Sequence, residues 1–198
     1  MVEHPHFSRA YIMGQHSLER FVGGIRSVQN HRANGKTLIV GAGTGLDVPQ
    51  LGHNVSEVLL LEPDATMRDY LSRTYPELPV LSSPAEHMAA ESGVFDTVVS
   101  SLVLCSVQSI EKTLSEISRV LRPGGQYLFM EHVLHHTPIN RLLQNFVNPL
   151  WKRAGGGCNL NRDVYSALQT SSLRIKEYSV KKPNFIAPII SGRALKER

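Results

Sequence analysis

The stretch Leu38-Ile39-Val40-Gly41-Ala42-Gly43-Thr44-Gly45 restricts the fold more than any other part of the chain. An apolar run that enters glycines at alternate positions reads as a buried strand closing in a tight loop. There the backbone can approach a ligand without Cβ clashes. The spacing, G-x-G-x-G followed by Leu46, predicts a helix beginning near Gly45, with free N–H groups and a positive dipole end at its start. Glu62 ends the next apolar run, 21 residues after Gly41. A carboxylate at that strand tip can accept hydrogen bonds from both hydroxyls of a ribose. Loop and acid together point to a cofactor that contains a nucleoside.

Short apolar runs alternate with helical periodicity on either side of this unit, the pattern of βα units around a parallel sheet. The spacing predicts strands at Lys36–Val40, Val55–Leu61, Leu78–Leu81, Phe95–Ser100 and Gln126–Met130. Helices are expected at about Ser17–Gln29, at Ala65–Thr74, and at Ile110–Leu121, where Arg122-Pro123-Gly124-Gly125 stops the last. Beyond the fifth strand the rhythm changes. An amphipathic helix over Pro138–Arg153, broken at Pro149, precedes Gly155-Gly156-Gly157 and a short helix at Asn161–Leu168. Strands at Arg174–Lys182 and Phe185–Ala194 close the chain. The expected organisation is one α/β Rossmann-like domain with helices on both faces of a seven-stranded, mostly parallel sheet that ends in an antiparallel hairpin. Residues 1–35 form an N-terminal helical cap, 36–132 the cofactor-binding core, 133–170 a substrate-side insertion and 171–198 the closing strands.

Composition excludes several classes. No apolar run approaches the ~20 residues of a membrane span, and the N-terminus lacks the pattern of a signal peptide. Two cysteines cannot build a disulfide framework, so a cytoplasmic location is expected. The net charge of +4 is mild and spread along the chain apart from Arg174, Lys176, Lys181 and Lys182. A nucleic-acid partner would need denser clusters interleaved with aromatics. Among nine histidines, His132, His135 and His136 lie close together. They lack cysteine or carboxylate partners at ligand spacing, so no metal is expected.

The glycine loop and Glu62, with Phe95-Asp96 opening the fourth strand and Arg119-Val120-Leu121-Arg122-Pro123-Gly124-Gly125 before the fifth, resemble the class I S-adenosylmethionine-dependent methyltransferases. The last signature separates them from dehydrogenases that share the loop and acid. Three further strings look like the methyltransferase-like family of alkyl thiol S-methyltransferases. They are Leu102-Val103-Leu104-Cys105-Ser106-Val107, Phe129-Met130-Glu131-His132-Val133 and Gly157-Cys158-Asn159-Leu160-Asn161-Arg162, with Trp151 before the last. The resemblance covers about Lys36 to the C-terminus. The mammalian members begin with a hydrophobic membrane anchor that this sequence lacks, so their membrane location is not expected here.

The resemblance implies S-adenosyl-L-methionine as cofactor, S-adenosyl-L-homocysteine as its product, and a small-molecule acceptor. Gly41, Ala42, Gly43, Gly45, Glu62 and Pro63 would then line the cofactor site. Ser101 and Leu102 would meet its amino-acid end through their backbone. Ala85 and Glu86 follow Pro84, where related enzymes often carry an aspartate for the adenine amino group, so backbone groups and apolar packing would serve there instead. Tyr11 and Met13, ahead of the first expected helix, can fold over the cofactor or simply pack. His132, just past the fifth strand, can orient or deprotonate an acceptor, or be structural. Trp151, Cys158 and Asn159 can line an acceptor pocket or a structural corner, and Cys105 is read as packing near the cofactor.

A thiol with an ordinary pKa near ~8.5 is already partly ionised at neutral pH and needs little base catalysis. The resemblance to the alkyl thiol S-methyltransferases implies methylation of a small thiol as the expected activity. Its rivals are O-, C- or N-methylation of a metabolite, quinone or lipid, and a cofactor-binding partner subunit without turnover.

Overall fold

Side chains that alternate across strands sort the core into two layers. In the computed structural model, which describes residues 5–181 and 186–197, Leu38 and Val40 enter one apolar cluster while Ile39 between them enters the other. Leu61, Val98, Tyr127 and Phe129 share the first cluster, and Leu60, Val99 and Leu128 the second. Buried residues at successive positions of the central strands β1, β4 and β5 therefore mean a sheet covered there on both faces.

In chain order the elements are α1 (Pro5–Asn30), β1 (Gly35–Val40), β2 (Val55–Leu61), α2 (Ala65–Thr74), β3 (Val80–Leu81), β4 (Phe95–Ser101), α3 (Ile110–Val120), β5 (Leu121–His132), α4 (Pro138–Ala154), α5 (Val164–Thr170), β6 (Leu173–Lys181) and β7 (Ile189–Lys196). Seven strands form one sheet in the order β3-β2-β1-β4-β5-β7-β6. β1 to β5 run parallel, and β7 pairs antiparallel with both β5 and β6. The strand order reverses between β1 and β4, which opens a crevice at their carboxyl ends, the usual ligand position in such sheets.

Several elements depart from the sequence expectations. α1 starts at Pro5 rather than Ser17, so Tyr11 and Met13 lie inside a helix rather than ahead of one. Glycines 14, 23 and 24 weaken that helix without ending it. After Gly45 only a three-residue 3-10 turn forms, Val48–Gln50. The turn contains Pro49 and ends at Leu51, whose backbone is extended (φ −66°, ψ 146°). The helix expected to begin near Gly45 therefore does not form. β3 begins at Val80, because Pro79 has no N–H to give a ladder.

β5 begins at Leu121, with Arg122–Gly125 looped out as a bulge: Leu121 faces Phe95, and Gln126 faces Thr97. α4 runs unbroken through Pro149, which is exposed, so water can reach the carbonyl that loses its partner. α5 starts late, at Val164, because Asp163 caps it by accepting from Ser166 N at 3.1 Å. β7 covers Ile189–Lys196, and the expected strand ends at Lys182 and Phe185 lie outside the described residues. No helix among the described residues is long and apolar enough to cross a membrane.

Candidate active site

The three loop glycines do different work. All have positive φ, +62° at Gly41, +56° at Gly43 and +81° at Gly45. A Cβ on Gly41 would fall 2.6 Å from Val103 Cγ2, and one on Gly45 2.4 Å from Tyr75 Cε2. Those two are demanded by packing. At Gly43 the nearest atom would be Gly41 O at 4.0 Å, so the space beside it is open to a ligand. In the same loop Thr44 Oγ1 is buried with no hydrogen-bond partner among the described residues.

Glu62 lies at the tip of β2 and is 6% exposed. Its Oε2 accepts from Gly43 N at 2.7 Å and its Oε1 from Asp64 N at 2.9 Å. Each carboxylate oxygen keeps a second lone pair. Burial pushes the Glu62 carboxyl above its ordinary range, and the two backbone donors oppose that shift. Pro63 turns the chain into α2, whose N-cap Asp64 accepts from Met67 N at 3.0 Å.

Beneath the loop sits a carboxylate that sequence reasoning missed. Asp47 Oδ1 accepts from Arg26 Nη1 at 2.8 Å, Asn30 Nδ2 at 2.6 Å and Ser101 Oγ at 2.7 Å. Arg26 also pairs through Nε with Glu19 Oε1 at 2.9 Å. The cluster ties α1, the glycine loop and the tip of β4 together. An arginine and an asparagine four residues apart on one face of α1 are the only sequence signal, and their partner lies in another element.

The ring of Tyr11 is half-buried near this cluster, and burial raises its hydroxyl pKa against the pull of Arg26. Phe7, 5.7 Å from Tyr11 between ring centroids, covers Gly156, so α1 reaches from the glycine loop to the turn after α4. Met13, by contrast, is 86% exposed.

The loop after β4 is strained and held from below. Leu102 has φ +61°, the one non-glycine residue with positive φ among the described residues. For a leucine that conformation costs about 1–2 kcal/mol. The neighbouring Ser101 is fixed by its side chain on Asp47, not by backbone alone. Glu131, fully buried in β5, accepts from Leu104 N at 2.9 Å and from Ser100 Oγ at 2.7 Å. Burial drives its carboxyl pKa up to about 7. Ala85 is buried in the core, and Glu86 Oε1 accepts from Gln108 N at 2.5 Å and Ser109 N at 3.4 Å. Glu86 is thus a clamp between two loops.

On the other side of the crevice the structure gathers residues from three of the resembling strings. Cys105 and Cys158 lie with Sγ atoms 3.2 Å apart, and Cys158 Sγ is 3.5 Å from His132 Nδ1. Trp151 stands edge-on to the His132 ring at 6.5 Å. Asn159 fastens the cluster, donating to Cys105 O through N at 2.9 Å and Nδ2 at 3.1 Å. Arg162 Nη1 donates to Leu104 O at 3.1 Å and also to Val107 O. The contact with Cys105, reinforced by His132, lowers the Cys158 thiol, whereas the same contact and burial raise that of Cys105.

His135 and His136 are not part of this group. They stack on each other at 4.4 Å, and His135 Nδ1 accepts from Thr137 N at 3.1 Å. The buried Gln144 locks the segment to its surroundings, accepting from His135 N and donating to Val133 O, Leu160 O and Ile186 O.

Comparison with known proteins agrees with this architecture. Residues 38–129 match the methyltransferase domain family. The human thiol S-methyltransferase TMT1A is 33% identical over 172 residues, covering 80% of this chain and 70% of that protein. Human TMT1B is 33% identical over 178 residues, with coverage of 83% and 72%. Among solved structures, geranyl diphosphate C-methyltransferase from Streptomyces coelicolor, in complex with Mg2+, geranyl diphosphate and S-adenosyl-L-homocysteine, has a TM-score of 0.71 at 16% identity. It covers 99% of this chain and 86% of its own. At that identity the likeness is one of fold. By its sheet order, its glycine loop and its identity with these relatives, the chain belongs to the class I S-adenosylmethionine-dependent methyltransferases, in the family that contains the thiol S-methyltransferases TMT1A and TMT1B.

Proposed function

We propose that the protein transfers the methyl group of S-adenosyl-L-methionine to the sulfur of a small thiol. The residues at the β1 and β2 tips fit that cofactor: open space beside Gly43, a buried carboxylate with spare acceptor capacity at Glu62, and the unpartnered hydroxyl of Thr44. The bound cofactor supplies an activated methyl on a sulfonium. Glu62 would hold the ribose hydroxyls, and the Ser101–Leu102 backbone its amino-acid end. The protein's part is then to align the acceptor with the methyl carbon and exclude water, which can supply several orders of magnitude in rate.

The observation that carries the thiol reading is the acceptor side itself. It presents the soft groups Cys105 and Cys158 with His132 and the Trp151 ring. Glu131, the carboxylate next to His132 in sequence, is fully buried and spent on Ser100 and Leu104. Such a wall suits an acceptor that ionises readily and does not need a committed base for an alcohol. The names of TMT1A and TMT1B support the same reading.

The test is release of S-adenosyl-L-homocysteine with a small alkyl thiol and with its alcohol isostere, using Glu62→Ala as control. Turnover of the thiol alone, lost in the control, is the expected result. Turnover of the alcohol at an equal rate would overturn the thiol reading.

A further inference from the structure

We propose that Cys105, Cys158 and His132 hold a zinc-class divalent metal ion, and that the acceptor thiol takes its fourth coordination position. The second half of this inference rests on the thiol reading above; the first half does not. Each ligand comes from a different one of the three strings that resemble the thiol methyltransferases, and the fold makes them converge. Their donor atoms all lie within 4.8 Å of one another. Four ligands in tetrahedral array around zinc, at ~2.3 Å for sulfur and ~2.0 Å for nitrogen, stand roughly 3.5–3.8 Å apart. The observed 3.5 Å between Cys158 Sγ and His132 Nδ1 fits that spacing, and the 3.2 Å between sulfurs needs only a small outward movement.

The ligands are also held in place. The two hydrogen bonds that Asn159 donates to Cys105 O fix one cysteine loop against the other, and His132 is in register with Ile189 at the end of β5. Ligands positioned by their own supporting bonds are what a metal site requires. Two cysteines and a histidine leave one of four positions to a non-protein ligand, as in catalytic zinc sites. Trp151, 39% exposed and edge-on to His132, borders the cluster and reaches solvent. The cluster also lies beside the strained Leu102, whose carbonyl oxygen is 3.4 Å from Cys105 Sγ.

The chemistry balances without a redox partner. An entering thiol gives its proton to solvent as its sulfur binds the metal. A lone pair on that sulfur then forms the new carbon–sulfur bond. The bond from the methyl carbon to the sulfonium breaks, its electron pair stays on the departing sulfur, and the thioether leaves the metal. Metal coordination keeps the acceptor deprotonated at neutral pH.

The full chain is stripped with a chelator in a non-thiol reductant and titrated with Co2+. One equivalent per chain, with sulfur-to-cobalt charge-transfer bands and the visible bands of a tetrahedral ion, is expected. Cys105→Ser and Cys158→Ser should each weaken cobalt binding by more than about tenfold while keeping S-adenosyl-L-homocysteine affinity, which shows that they are folded. A small alkyl thiol should then intensify the charge-transfer absorption, and its alcohol isostere should not. Absence of the cobalt bands in fully reduced protein overturns the proposal. If thiol turnover persists in that metal-free protein, the thiol reading stands and the metal alone is refuted. Cobalt bands that no thiol perturbs overturn the open-position assignment.

Discussion

The two halves of the crevice are supported by buried carboxylates of opposite character. Under the glycine loop, Asp47 is neutralised by a guanidinium, Arg26, and takes further bonds from Asn30 and Ser101. Under the loop after β4, Glu131 is held by a hydroxyl and a backbone N–H, and its pKa rises to about 7. Both brace a loop at the carboxyl edge of the sheet. The first does so as one member of an ion pair, so its worth depends on a residue in another element. The second does so as a hydrogen-bonded group that can be neutral, so it needs no distant partner. Buried charge is costly without compensation, whereas a neutral buried carboxyl with satisfied bonds is not.

Removing the cation should therefore break the comparison most visibly. Arg26→Met leaves Asp47 buried without its counter-charge and should lower unfolding free energy by about 3–5 kcal/mol. Adding Asp47→Asn should recover at least half of that loss. Glu131→Gln, which can still accept from Leu104 N and donate to Ser100, should cost less than about 1.5 kcal/mol. Urea denaturation of the four proteins decides it. Equal losses for Arg26→Met and Glu131→Gln would show that the two carboxylates are supported alike.

The next effect is on affinity. Glu62→Ala should weaken S-adenosyl-L-homocysteine binding by roughly 10–100-fold, the worth of about 1.5–3 kcal/mol for hydrogen bonds to a charged group. Calorimetric titration reads this directly, and unchanged affinity would remove Glu62 from the ribose contact.

The same contrast explains what was legible in the sequence. The cofactor side is written in one contiguous run plus one acid at a strand tip, because a turn and a strand end are local structures. The strand count and the antiparallel closing pair were legible for the same reason, since alternation is local. The acceptor side joins Cys105 to Cys158 across 53 residues and Cys158 to His132 across 26. No periodicity connects them. Spacing within the sequence grouped His132 with His135 and His136, which the fold turns to a different task. Asp47 stayed hidden because Arg26 and Asn30 reach it from α1. The start of α1 and the passage of α4 through Pro149 were missed because breaker residues predict ends only where the surroundings do not compensate.

The glycines offer a smaller and sharper contrast within the cofactor side itself. Gly45→Ala meets Tyr75 in a positive-φ conformation and should cost about 2 kcal/mol or more of stability. Gly43→Ala meets no close atom, so its stability loss should stay near the ~1–2 kcal/mol of the backbone conformation alone. Its methyl group would instead occupy the open space beside the loop. Cofactor affinity should then fall further for Gly43→Ala than for Gly45→Ala. Denaturation and calorimetry on the pair test this, and a reversed order would place the ligand elsewhere.

The smallest effect is a slope. Burial raises the Glu62 pKa above its ordinary value of 4.5. Between the ordinary and the raised value, the folded chain therefore holds a proton there that the unfolded chain has already released. Stability contributed by this group is fully present below the ordinary value and is lost as pH rises through the raised one. Glu62→Gln cannot titrate, so subtracting its unfolding free energy from that of the wild type isolates the effect. Any fixed cost of the amide beside Asp64 N is independent of pH and drops out of the slope. The difference should decline with rising pH over that window. Cofactor affinity should move the other way, because ribose hydroxyls donate best to the ionised carboxylate, and binding should strengthen over the same window in the wild type alone. Parallel stability curves for the two proteins would mean that Gly43 N and Asp64 N outweigh burial, leaving Glu62 ionised before any cofactor arrives.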